Sequence, residues 1–320
     1  MTLNKNATSI MKDKAASLRS VFLLAMTLCF GICLSVEASA YVKEGMLLAV
    51  NCVIPSSFPF MLISDVYIAY GRPERIRPLG RIFSALFGLD ARALSAFICG
   101  NVGGFPIGAK MAADMYLSGV ISREDAERLA ALSNNPSSAF VIGGVGLGIY
   151  GDARIGIMLL LSIYTGTLLS GIATRSKTDN PSIIDVNIGQ NYSFVESVKR
   201  AGLSSVSIIS FISIFSVVLG IIKKRVKYAP LLCAILAIFE VTNAVKSFST
   251  LSFHEPALPL ILSAFSLGFG GLSVGMQSSV FTHQAGLKIR KYYLIKLLEG
   301  VLTATVFSLI YSIKLKNGVT

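Results

Sequence analysis

Three ionisable residues, Asp65, Lys110 and Glu240, stand in apolar surroundings where a charge is costly. A charge inside a membrane span faces a cavity or a partner, so each is a candidate for holding a polar solute or an ion. Asn243 follows Glu240 by three residues, which places both on one face if the segment is helical. Glu240 and Lys110 could equally neutralise one another, or lie near the membrane interface. Two adjacent amides, Asn134 and Asn135, precede Pro136 beside an apolar run, which fits either an unwound junction lining a cavity or a plain loop turn. Enzymatic constellations are weaker. Gly146-Leu147-Gly148-Ile149-Tyr150-Gly151 has the form G-x-G-x-x-G, but no acid follows about 20 residues on, as a dinucleotide site requires. Asp65 with Glu240 is the one candidate pair of carboxylates for acid–base work. His254 and His283 lack a nucleophile or ligand partner, and Cys29, Cys33, Cys52, Cys99 and Cys233 lie in apolar stretches as inert thiols. No catalytic residue, metal or cofactor is expected.

The elements that must position these groups are membrane spans. The chain is 53% hydrophobic and 14% charged with a mean hydropathy of +0.68, which excludes an ordinary soluble domain and makes the lipid bilayer its first partner. Its net charge of +12 would suggest nucleic acid in a soluble protein. Here the basic residues fall between apolar runs and act as topology signals, so no nucleic-acid partner is expected. The first hydrophobic stretch, 21–36, follows Lys5, Lys12, Lys14 and Arg19 and is read as an uncleaved anchor with a cytoplasmic N-terminus. Ala38-Ser39-Ala40 behind it also resembles a signal-peptide cleavage site. Span 45–69 carries Pro55 and Pro59, which should kink or unwind its middle. Further spans are expected at 155–173, 203–222, 228–247 and 292–313, with an amphipathic surface helix opening at Ser122.

An internal repeat organises this list. Residues 94–110 (LSAFICGNVGGFPIGAK) reappear, one residue shorter, as 262–277 (LSAFSLGFGGLSVGMQ). Glycine costs a helix interior about 1 kcal/mol relative to alanine, so glycine-dense copies favour breaks over straight spans. Glycine-mediated helix packing through Gly100, Gly104 and Gly108 is the alternative. The basic runs around 72–81 and 223–227 imply that the copies are entered from opposite sides, as an inverted repeat requires. On that scheme Lys288, Arg290 and Lys291 fall on the outer side, against the usual bias. The expected fold is an all-α polytopic membrane protein with an inverted repeat of two re-entrant helical hairpins. Its units are an N-terminal segment with the first transmembrane helix (1–44), repeat 1 (45–175), a connecting loop and helix (176–222) and repeat 2 (223–320).

Five motifs in order resemble the YlbJ family of sporulation integral membrane proteins, in the nucleoside-recognition (Gate) domain group. They are Ile54-Pro55-Ser56-Ser57-Phe58-Pro59-Phe60; Gly103 to Lys110; Ile121-Ser122 with Glu124 and Glu127; Asn134-Asn135-Pro136; and Phe269 to Val274 with Gln277. The resemblance covers residues 20–313. It implies a membrane protein of endospore formers linked to the spore cortex, with a core similar to the hairpins of concentrative nucleoside transporters. A convincing set of the acidic and amide residues that would hold a base and ribose, as in those transporters, is missing. Two functions follow as expectations. One is a transporter-like protein for a small polar solute and a coupling ion, with a site at Gly103, Gly104, Pro106, Gly108, Gly270, Gly271, Ser273 and Gln277, joined by Lys110, Asn134, Asn135, Glu240 and Asn243. The other is a non-transporting assembly factor in sporulation that retains the fold. Oligomeric state is left open.

Overall fold

A computed structural model describes residues 31, 38–70, 77–176, 193–226, 228–250 and 255–316. Most of the anchor at 21–36, Glu74 with Arg72 and Arg75, residues 177–192 of the connecting unit, and His254 lie outside the described residues. The described chain is helical. A helix at 38–48 passes through a π-helical turn, Ala49–Val53, into α1, Ile54–Tyr70, and Pro59 sits inside α1. The expected interruption is thus a widened turn ahead of the prolines and not an unwound middle. The remaining helices are α2 (Arg77–Phe87), α3 (Leu94–Gly103), α4 (Ile107–Leu117), α5 (Arg123–Leu132), α6 (Ala153–Ala173), α7 (Phe194–Arg225), α8 (Ala229–Phe239), α9 (Val241–Thr250), α10 (Leu258–Phe269), α11 (Gly271–Gln284) and α12 (Ile289–Lys316), with a π-helix at Phe140–Ile149 between α5 and α6.

Among the described residues, α6, α7, the α10–α11 unit and α12 are long and apolar enough to cross a bilayer. The pair Pro78–Phe87 and Ala91–Gly103, bent by 104°, adds a broken span or re-entrant element. Large side chains such as Leu161, Leu203, Val206, Leu294 and Leu309 are exposed on the spans, which suits hydrocarbon and would be untenable in water.

The first repeat copy turns back on itself. α3 ends at Gly104, whose φ of 86° closes its last turn, and Phe105-Pro106 leads into α4. A Cβ at Gly100 would stand 2.6 Å from the Gly108 Cα, so residues eight apart in sequence touch across the hairpin. The second copy does otherwise. Gly270 and Gly271, with φ of 80° and 79°, break the helix, yet Leu258–Gln284 continues as one 27-residue span. Two hairpins were expected and one is present. The difference lies after the Gly-Gly: Leu272-Ser273 lets α11 begin at once, whereas Pro106 lacks a backbone donor and leaves three residues free to reverse the chain. The span expected at 228–247 is also broken, at Glu240, into α8 and α9.

The expected surface helix is instead enclosed. α5 opens with Ser122 accepting from the Asp125 amide (3.1 Å), as its sequence suggests, but Ala126, Leu129, Ala130, Ala131 and Leu132 are fully buried. Three of its charges, Asp125, Glu127 and Arg128, are buried too and bind neighbouring chain, while Arg123 and Glu124 are exposed. Arg128 donates to the carbonyls of Phe87 (2.7 Å) and Gly88 (3.0 Å), Asp125 accepts from the Asp90 amide (3.2 Å), and Glu127 accepts from the Lys288 amide (3.0 Å). Lys291 reaches Glu124 at 3.3 Å. These contacts gather 87–90, the start of α5 and 286–291 at one end of the molecule. Because α10–α11 is one unit long enough to cross, Lys288 and Lys291 are held through α5 beside 87–90, the segment that follows the arginine run, and the scheme no longer requires an outer position for them. At the other end, Tyr150 bonds Ser263 (2.7 Å) and the Pro259 carbonyl (3.3 Å).

Cysteines introduced singly at Lys288 and Arg154, in a cysteine-free background, should therefore react with an impermeant thiol reagent from opposite sides, Lys288 from the cytoplasm. Glycine packing is tested by Gly108→Ala, whose Cβ would meet the Ser133 carbonyl oxygen at 2.0 Å. It should lower stability by about 1–3 kcal/mol in a detergent melt, while Gly143→Ala, with open space around it, leaves the melt unchanged.

Candidate functional site

Four interruptions of helical backbone converge. A Cβ on Gly104 would meet Ser137 (2.8 Å), one on Gly270 would meet Phe105 (3.5 Å), and one on Gly271 would meet the carbonyls of Phe239 (3.1 Å) and Ile238 (3.2 Å). The hairpin tip, the unwound Asn134-Asn135-Pro136-Ser137 segment, the Glu240 break and the Gly270 break are therefore neighbours. They surround a cavity of about 40 Å³. Gly103, Gly104 and Phe105 line it from the tip, Pro136, Ser137 and Phe140 from the junction, Glu240, Val241 and Thr242 from the third break, and Val274 with Gln277 from α11; Val53 and Ile212 close it. Irregular backbone at membrane depth is tolerated where it is buried in protein or lines such a cavity.

Glu240 is the charge at this cavity. It is 3% exposed, and its extended backbone stops α8. Its carboxylate accepts from the amides of Thr242 (3.0 Å) and Asn243 (2.7 Å), the first free donors of α9, where the helix dipole also favours an anion. Lys110 does not neutralise it. Lys110 instead bonds Asp65 and Asp114 (2.8 Å), and Arg200 reaches Asp65 at 3.0 Å, so this cluster ties α1, α4 and α7 together away from the cavity. Of the other expected site residues, Gly103, Gly104, Glu240 and Gln277 line the cavity, and Gln277 donates to Ser273 (3.2 Å). Pro106, Gly270 and Gly271 shape the breaks, and Asn243 contributes its backbone amide. Gly108 packs against Ser133 and lies outside the lining.

Asn134 and Asn135, both fully buried, anchor the junction from behind. Asn134 donates to Ser278 (2.8 Å) and the Tyr292 hydroxyl (2.7 Å). Asn135 donates to Asn101 (2.8 Å) and Thr167 (2.8 Å) and accepts from Lys296 (2.6 Å). Lys296 lies 3.1 Å from Glu299, and both side chains are wholly enclosed. Sequence reasoning missed Lys296, Glu299, Thr167 and Asn101. The available signal was a Lys and a Glu three apart inside an apolar stretch of 28 residues, a spacing that puts both on one helix face.

Removing one partner of a buried pair typically costs about 3–5 kcal/mol, whereas replacing both by apolar groups is often near neutral. Lys296→Met should accordingly lose most of its folded protein in a thermal melt, and adding Glu299→Leu should restore it.

With this geometry in place, comparison with known proteins finds similarity to the "Sporulation integral membrane protein YlbJ" of Bacillus subtilis (strain 168), at 24% identity over 87% of this chain and 78% of that protein. It supports the YlbJ assignment that the motifs suggested. No family model and no solved structure matches the chain.

Proposed function

We propose that this YlbJ-like protein moves or binds a small polar solute within the membrane during sporulation, at the cavity where the four helix breaks meet. A multi-pass membrane location rests on the apolar helices and on the likeness to an integral membrane protein; the link to sporulation rests on that likeness, and the link to the spore cortex only on what the motif resemblance implies. The observation that carries the transport reading is the meeting of broken helices around Glu240 and Gln277. Broken helices present backbone donors and acceptors that hydrogen-bond a solute, and they give hinge points about which half-helices can move. Glu240 selects for a solute bearing hydroxyl or amine donors, and the Gln277 amide offers one donor and one acceptor edge.

A cavity of about 40 Å³ holds about three waters at roughly 10–15 Å³ each. That space is too small for a sugar or nucleoside, so a solute of that size must be admitted by a wider arrangement. The same small volume favours the second reading, a membrane assembly factor that retains the fold without moving a solute.

Uptake separates them. Purified protein in vesicles, offered radiolabelled amino sugars, nucleosides and short polyols in turn, should accumulate at least one of these, and Gln277→Met should reduce that uptake by about tenfold, the loss of one hydrogen bond of about 1.4 kcal/mol, with an unchanged melt. Gly104→Leu and Gly271→Leu are poorer probes than their place in the repeat suggests. Both positions have left-handed backbone and crowded Cβ positions, so leucine should reduce folded protein together with activity. Uptake of none of the solutes would favour the assembly factor.

A further inference from the structure

The transport reading makes no use of the wholly buried Lys296 and Glu299. The Thr167 hydroxyl beside them has two acceptors for one proton: Glu299 Oε1 at 2.6 Å and the Ile163 carbonyl at 2.9 Å. It also accepts from Asn135 Nδ2 at 2.8 Å. With Glu299 ionised, Thr167 donates to the carboxylate. With Glu299 protonated, the acid O–H donates to Thr167 Oγ1, the Thr167 proton turns to Ile163, and its two lone pairs serve Asn135 and Glu299. Glu299 Oε1 is thus hydrogen-bonded in both protonation states without moving a heavy atom, while Oε2 has the Lys296 ammonium at 3.1 Å as an ion-pair contact and no hydrogen bond. What changes is Lys296. It loses its counter-charge and keeps only the Asn135 carbonyl oxygen, the group that fixes the junction whose next residues, Pro136 and Ser137, line the cavity.

We propose that Glu299 is the binding site of a coupling proton, and that Lys296 passes its arrival to the cavity through Asn135. The word coupling rests on the transport reading; the proton site and its link to the junction do not. The step is simple protonation: a proton from water adds to a Glu299 carboxylate oxygen, giving the neutral acid, and no other bond breaks. A metal cation is disfavoured because the position at Glu299 Oε2 is held by the Lys296 ammonium.

Of the other titratable groups on α12 and the elements packed against it, Tyr292 is near enough to feel the Glu299 charge, and the rest face other partners or solvent. On α5, Asp125 accepts from Asp90, Glu127 faces Arg123 and Lys291, Glu124 faces Lys291, and Arg128 bonds the Phe87 and Gly88 carbonyls. On α6, Tyr164 pairs with Ser138 and Arg154 with Asp152. His283 on α11 is exposed, α10 has no titratable side chain, and on α12 Tyr292 accepts from Asn134 while Tyr293 bonds the Leu272 carbonyl.

The test is a single cysteine at Ser137 in a cysteine-free protein reconstituted in vesicles, its maleimide labelling rate followed against pH. Dividing by the rate at an exposed cysteine replacing Lys288 removes the intrinsic thiol titration. The normalised rate should change by at least about fivefold across the titration, the lower end of ordinary coupling between sites. Glu299→Gln should flatten the profile. Should Glu299→Gln fail to fold, Lys296→Met with Glu299→Leu keeps the packing and should be equally flat. A flat profile in the parent, or a pH response retained in the double variant, overturns the proposal. Solute uptake with a flat profile would sink the proton site and leave transport standing. A Glu299-dependent profile without any uptake would leave the proton site and sink transport.

Discussion

The Asn135 side chain uses both ends of its amide at once. Its carbonyl oxygen takes the Lys296 ammonium, and its two N–H groups reach Asn101 on α3 and Thr167 on α6. Three helices that are distant in sequence are therefore fixed to one unwound segment by a residue with no exposure to solvent. Such a network is stable only when its members are satisfied, because an unpaired buried polar group at low dielectric is costly. Pro136 follows directly and prevents the chain from repairing the break by continuing the helix. Held in this way, the junction presents Ser137 to the hairpin tip at Gly104, and the remaining breaks pack around that contact.

Each break is stabilised by its own local chemistry. Glu240 supplies a carboxylate to the first amides of α9, and Gly104, Gly270 and Gly271 adopt left-handed backbone that side chains avoid. Lys110, Asp65, Asp114 and Arg200 bind the outer helices at a distance from the cavity, and the Glu127–Lys291 group does so at the end near α5. The result is a scaffold of spans around a polar, irregular centre. That division accounts for glycine and amide residues at the breaks, where leucine would serve a plain bundle.

Much of this was legible in the sequence. The polytopic class followed from composition, and the Gly-Gly repeat and the amides before Pro136 marked three of the four breaks. Lys110 and Glu240 stood out correctly as buried charges, but their partners did not, since pairing depends on helices brought together only by folding. The difference between the copies was written in Pro106 against Ser273, yet one proline does not say whether a chain will reverse or merely bend. Lys296 and Glu299 escaped notice because they sit in a segment whose apolar average conceals two charges on one face. The burial of α5 was equally hidden, because its charged residues look solvent-facing until their backbone partners at 87–90 and 286–288 are known.

The central claim is that the four breaks form one shared, hydrated centre inside an otherwise dry bundle. Hydrogen–deuterium exchange of the protein in lipid nanodiscs addresses it directly. Amides at 103–105 and 107, 137–140, 240–243 and 270–272 should exchange together and well ahead of those at 158–166 in the middle of α6. Exchange at the four breaks as slow as in α6, or at unrelated rates from one break to the next, would contradict the account.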